Sequence, residues 1–130
     1  MGRKTLIECR IDFDKKEKLS NKILEMFSSE NLINCFSSSN YEKYKKVISE
    51  EAIQNILNDS SLIDTINKFY DNNLNMGIAS EKTFMHRNTL NYRLEKVHKL
   101  IGLNLKLFDH AMVFKNLLII NEIINAFEEK

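Results

Sequence analysis

The stretch FMHRNTLNYRLEKVHKLIG, residues 84–102, constrains the fold more than any other part of the chain. Leu90, Leu94, Val97 and Ile101 recur at three- and four-residue spacing, which is one apolar stripe of an α-helix and does not fit the two-residue alternation of a strand. Between them stand Arg87, Asn88, Thr89, Asn91, Tyr92, Arg93, Lys96 and Lys99. The stripe accounts for one face of the helix. The other face is a row of donors and cations that needs something to meet.

The same period continues on both sides. Leu19, Ile23, Met26 and Phe27 make a helix over 15–27; YEKYKKVI (41–48) is a short amphipathic helix. Ser49 precedes EEAIQNIL and reads as its N-cap. Leu62, Ile63, Ile66, Phe69 and Tyr70 give the next stripe. A short helix around 77–84 leads to the long one around 86–101, with Gly102 as a left-handed stop. A last helix from about Phe108 to Phe127 buries Ala111, Phe114, Leu117, Leu118, Ile120 and Ile124. Proline is absent and glycine occurs only three times, so little interrupts these helices. The exception is LIECRIDFD (6–14), where Ile7, Cys9, Ile11 and Phe13 alternate with charged residues as in a half-buried strand. The expected architecture is therefore a mainly α multi-helix bundle containing a helix-turn-helix, with one N-terminal β-strand. Residues 1–45 are expected to be an N-terminal strand plus helix, and 46–130 the main domain.

Composition narrows the class. A hydrophobic share of 43% with 28% charged residues is that of a globular protein in water. No apolar run approaches the roughly 20 residues that span a bilayer, and the N-terminus has no secretory pattern. Cys9 and Cys35 match no metal or redox spacing and read as reduced thiols, one of them buried, in a cytoplasmic protein. The net charge is +1, but its distribution is uneven. Lys82, Arg87, Arg93, Lys96, Lys99 and Lys106 face a single anion, Glu95, between 82 and 106, so the rest of the chain is net negative. A basic segment on an acidic body is the footprint of an anion-binding face.

Catalytic and metal chemistry find no foothold. His86, His98 and His110 do not share a helix face, and Asp64, Asp71, Glu95 and Asp109 make no carboxylate pair. There is no nucleophile–base order and no phosphate-cradling glycine loop. The reading is therefore of a protein that is not an enzyme and needs no cofactor.

Residues 77–101 taken as a unit read as a helix-turn-helix: a short helix, a corner at Phe84–Met85–His86, and a longer helix opening on Arg87–Asn88–Thr89. Arginine can donate two hydrogen bonds to guanine and asparagine can pair with adenine. Thr89 and the amides of a helix start can hold a phosphate. Arg93 and Lys96 lie one and two turns further on and are expected to face the nucleic-acid backbone.

The segment INKFYDNNLNMGIASEKTFMHRNTLNYRLEKVHKLIGLNLKLFDHAMVFKNLLI resembles the C-terminal helix-turn-helix domain of the PucR/CdaR family, bacterial transcription regulators of purine catabolism and sugar-diacid use. His86, Arg87, Asn88, Thr89, Leu90, Tyr92, Arg93, Leu94, Lys96 and Val97 stand where that family carries H-R-N-T-L-x-Y-R-L-x-K-[IV], and Gly102, Leu103 and Leu105 continue the pattern. The corner is also similar to the DNA-binding end of Fis-like proteins. The resemblance implies that Arg87, Asn88 and Thr89 open a recognition helix flanked by His86, Arg93 and Lys96. With Asn91 and Tyr92 on the same face, these eight residues are the candidate DNA-binding set. The chain departs from the pattern in the first short helix, with Gly77 at the cap position, Ser80–Glu81 in place of an Ala-Arg pair, and Thr83 for a leucine. Full family members place sensory regions ahead of this domain, so 1–45 reads as a remnant of one, in a fragment whose effector would be bound by a region absent here, or the chain reads as a short stand-alone relative.

Two functions follow. The first is sequence-specific binding of double-stranded DNA, by a homodimer, with no membrane involved. The second is a protein-interaction or dimerisation module that keeps the fold and has lost DNA.

Overall fold

The computed structural model describes residues 6–129, with the side chains of 6–14, Phe36 and Ser38 outside that description. Among the described residues the chain forms seven α-helices and no strand: α1 (Leu6–Met26), a 3-10 turn (Leu32–Phe36), α2 (Ser38–Ile48), α3 (Glu51–Leu57), α4 (Ser60–Asp71), α5 (Met76–Thr83), α6 (Arg87–Ile101) and α7 (Phe108–Glu128). The strand expected over 6–14 is not supported, because the backbone there belongs to α1. A helix closes its N–H and C=O groups on itself, whereas a lone strand would leave a row of them without partners.

The apolar stripes build one core. Ile23 and Phe27 of α1, Tyr44 and Val47 of α2, Ile53 and Ile56 of α3, and Leu62, Ile66 and Phe69 of α4 are buried with Leu90, Leu94, Val97 and Ile101 of α6. α7 adds Val113, Phe114, Leu117, Ile120 and Ile124 to the same cluster. Leu118, expected inside, is only half-buried, and Val113 takes an inner place instead. α6 is central: α1, α3, α4 and α5 all pack on it. Truncating a fully enclosed side chain such as Leu94 to Ala costs about 2–5 kcal/mol.

Polar groups close the seams. Phe27 and Tyr44 meet edge to face at 5.1 Å, and the Tyr44 hydroxyl donates to Met26 O at 2.6 Å. Asn116 Nδ2 on α7 donates to Phe27 O at 2.9 Å, and the Tyr70 hydroxyl on α4 donates to Ala111 O at 2.8 Å. Burial pushes the Tyr70 phenol well above its usual range. Cys35 is the buried thiol, its pKa raised by loss of solvent.

Two caps differ from expectation. Ser49 does not cap α3; it sits in helical conformation at the end of α2, and its Oγ folds back to donate to Lys45 O at 2.8 Å. The N-cap of α3 is Glu50. For α5 the cap is Asn75, whose Oδ1 accepts from Ile78 N at 2.9 Å, while Gly77 lies within the helix.

Candidate nucleic-acid interface

α5 and α6 are joined by three residues, Phe84 to His86. α5 stops because Phe84 turns left-handed, at φ 56° and ψ 29°. In that conformation the amides of Phe84 and Met85 both reach Ser80 O, the latter at 3.1 Å, which satisfies a helix-end carbonyl. His86 then returns to extended backbone and caps α6: its Nδ1 accepts from Asn88 N at 3.1 Å. A neutral imidazole that accepts at Nδ1 carries its proton on Nε2, so the cap also fixes the ring as an Nε2–H donor. Thr89 N and Leu90 N both turn back to His86 O, at 3.0 and 3.1 Å. The amides of Asn88 and Thr89, expected to await a phosphate, thus already have partners in His86.

The side chains of the helix start do point out. Arg87, Asn88 and Thr89 are exposed, and Tyr92, one turn on, is 69% exposed. On the helical wheel, Asn88, Tyr92 and Lys99 run along the line opposite the buried Leu90–Leu94–Val97–Ile101 stripe.

Three of the expected contact residues are engaged by other side chains of the protein. Arg93 Nη1 donates to the buried Thr65 hydroxyl at 2.8 Å, so its guanidinium turns towards α4. Lys96 Nζ lies 3.3 Å from Asp59 Oδ2, the residue that also caps α4 through Leu62 N. Asn91 Oδ1 accepts from Lys106 Nζ, which is 4.0 Å from Glu95 Oε2. His98 Nδ1 sits 3.6 Å from the other oxygen of Glu95. The single anion of the basic segment therefore lies between the imidazole of His98 and the ammonium of Lys106. The side chains of Lys82, Arg87 and Lys99 have no hydrogen bond or ion pair to another described residue. Lys82 and Lys99 were not singled out as contact residues by sequence, although the charge run that includes them was the signal.

The histidines are apart, as their spacing implied: His86 caps α6, His98 meets Glu95, and His110 Nδ1 accepts from Asn104 N at 3.0 Å. Among the described residues no group of three or more His, Cys, Asp or Glu could hold a metal ion. A cleft of about 540 Å³ is lined by residues of α1, the 3-10 turn, α2 and the loops beside them, and none of its lining residues lies on α5 or α6. No described helix is long and apolar enough to cross a membrane.

Comparison with known proteins agrees with this geometry. Residues 62–119 match the family described as the PucR C-terminal helix-turn-helix domain. The chain is also similar to the "Uncharacterized protein YxkF" of Bacillus subtilis (strain 168), at 35% identity over 72 residues. That alignment takes in 55% of this chain and 24% of the relative, so the matched part spans about a quarter of the relative's length. No solved structure matches the chain.

Proposed function

We propose that this chain, whose residues 62–119 form a PucR C-terminal helix-turn-helix domain, is the sequence-specific double-stranded-DNA reader of a bacterial transcription regulator. α6 lies in the major groove. Arg87, Asn88 and Tyr92 meet base edges, with His86 Nε2–H, Thr89, Lys82 and Lys99 on phosphates. Arg93, Lys96 and Asn91 take part by holding α6 at the right angle to α4 and to the loop after it. The observation that carries this reading is the exposed, capped start of α6 immediately after a tight corner. The resemblance to PucR/CdaR regulators directs it to genes of purine catabolism or sugar-diacid use. One α6 reads only a few base pairs, so the working form is a homodimer on a two-fold site in the cytoplasm. Any effector acts through a region outside the matched residues 62–119.

A second reading, an interaction module that has lost DNA, is favoured by one observation: Arg93, Lys96 and Lys106 are engaged internally while Glu81 on α5 is exposed. Fluorescence anisotropy with a pool of AT-rich duplexes at two salt concentrations separates the two. The expected result is binding at low salt that weakens as salt rises, and loss of binding with an unchanged thermal melt when Arg87 and Asn88 become Ala. No binding by the wild type at low salt sinks the first reading and leaves the second.

A further inference from the structure

Phe84 is 96% exposed and holds φ at 56°. Both properties are unfavourable for the free protein. A left-handed backbone crowds Cβ, and an aromatic ring in water gains nothing from burial. The corner itself needs only the left-handed turn, which glycine or asparagine supplies with less strain. The chain does use glycine at the other end of α6, where Gly102 has φ 76°. The two stops of the helix-turn-helix thus differ in one respect, the presence of a large apolar side chain at the end that leads into α6. Lys82 stands two residues before it and Arg87 three after, both exposed and both without a partner among the described residues. An exposed apolar ring with unpaired cations before and after it in sequence suits a polyanion that carries apolar spots, and in the major groove of a duplex those spots are the thymine methyl groups.

The geometry points to Phe84 as a specificity-determining residue: its ring packs on the C5-methyl of a thymine beside the bases that Arg87 and Asn88 face. This rests on the reading of α6 as a recognition helix. Asn73 and Leu74 are left-handed as well, at φ 57° and 60°, so it is the ring standing 96% exposed at the corner, more than the backbone angle, that marks Phe84; contact with DNA is what would cover it.

The test uses a duplex selected with the wild-type chain, and the same duplex with deoxyuridine for every thymine, which removes the methyl groups and keeps the pairing. Four proteins are compared: wild type, Phe84→Gly, Phe84→Asn and Phe84→Tyr. Phe84→Gly and Phe84→Asn are expected to melt no lower than wild type, yet to bind the thymine duplex about tenfold more weakly, as loss of a buried aromatic contact implies. Phe84→Tyr retains binding. The wild type loses a similar factor on the uridine duplex, and Phe84→Gly loses nothing further there. The salt slope is unchanged by Phe84→Gly, since a methyl contact releases no counterions. Equal affinity of wild type and Phe84→Gly for the thymine duplex overturns the inference. So does a Phe84→Gly loss of the same size on both duplexes, which would assign the ring to the sugar–phosphate backbone or to stiffening of the corner. Failure of the wild type to bind any duplex removes the recognition-helix reading and this inference with it.

Discussion

Arg93 Nη1 donates to Thr65 Oγ1 at 2.8 Å, tying the middle of α6 to the middle of α4. Thr65 is fully buried and passes its own proton to Ser61 O at 2.9 Å. A cation in the centre of the basic segment therefore serves to fix the helix that also carries Arg87, Lys96 and Lys99.

Thr65→Val keeps the shape and removes the acceptor. The guanidinium loses a charge-assisted hydrogen bond in a half-buried place, and the expected loss of stability is about 1–3 kcal/mol, read from urea unfolding. Thr65→Ser, which restores an acceptor, is expected to recover most of it. A Val variant as stable as wild type would mean that the pair does not hold α6.

Free and engaged cations should separate in salt titrations. Lys99 has no internal partner and Lys96 has Asp59. Lys99→Ala is expected to lower the slope of log affinity against log salt by about one, as for one phosphate, with the melting temperature unchanged. Lys96→Ala is expected to change the slope by less and to lower the melting temperature. The reverse ranking would place Lys96 on the nucleic acid.

Acid should loosen the fold at two defined points. The Asp59 carboxyl is held below the usual carboxylate range, first by the Leu62 amide and then by Lys96. Glu128 is lowered too, first by the hydrogen bond from Lys45 and then by Tyr41. A carboxylate whose folded pKa is lowered stabilises the fold above its unfolded pKa, and that contribution is lost as pH falls through the folded value. Stability should thus be level well above 4.5, the ordinary glutamate value. It should decline as pH drops past 3.8, the ordinary aspartate value. Melting curves from pH 7 to pH 3 check this, because Asp59→Asn with Glu128→Gln should start lower and fall less. Parallel decline of the two proteins would place the acid sensitivity elsewhere.

The two described glycines predict opposite signs. At Gly102 a Cβ would lie 2.7 Å from Ser20 Cβ, on a backbone at φ +76°. Gly102→Ala is expected to cost about 1–2 kcal/mol from the backbone alone, and more from the clash. At Gly77 an added Cβ meets only Asn75 Oδ1, at 3.5 Å. Gly77→Ala inside α5 is expected to gain about 0.5–1 kcal/mol. Differential scanning calorimetry of both variants reads the two signs.

The parts of the fold that sequence showed well are those set by side-chain period. The α6 stripe, the corner at 84–86 and the Gly102 stop all lie where spacing put them. Reading failed where a local pattern competed with backbone pairing. The alternation at 6–14 fits a strand, yet the structure describes no strand for it to join, and the helix of α1 needs none. It failed again where two residues could each serve as a cap: Ser49 and Gly77 look suitable by type, and Glu50 and Asn75 hold the positions. At the candidate site the exposed start of α6 was legible. The inward turn of Arg93, Lys96 and Asn91 was not, because their partners Thr65, Asp59 and Lys106 lie 28, 37 and 15 residues away in sequence. Phe84 was legible as part of the corner but not as a site residue, because sequence gives no sign of its φ or of its exposure.

Gly102 also has a mechanical consequence. With nothing but hydrogen on its Cα, the tail of α6 admits the side chains of Ser20 and Lys16 of α1 close against its main chain. A long side chain between the two helices could rotate aside and absorb a small displacement, but the Cβ of Ser20 is fixed to its own backbone and transmits it. A shift of α1 by the width of a methyl group would tilt α6 as a lever tilts on its fulcrum, and the far arm of that lever is Arg87.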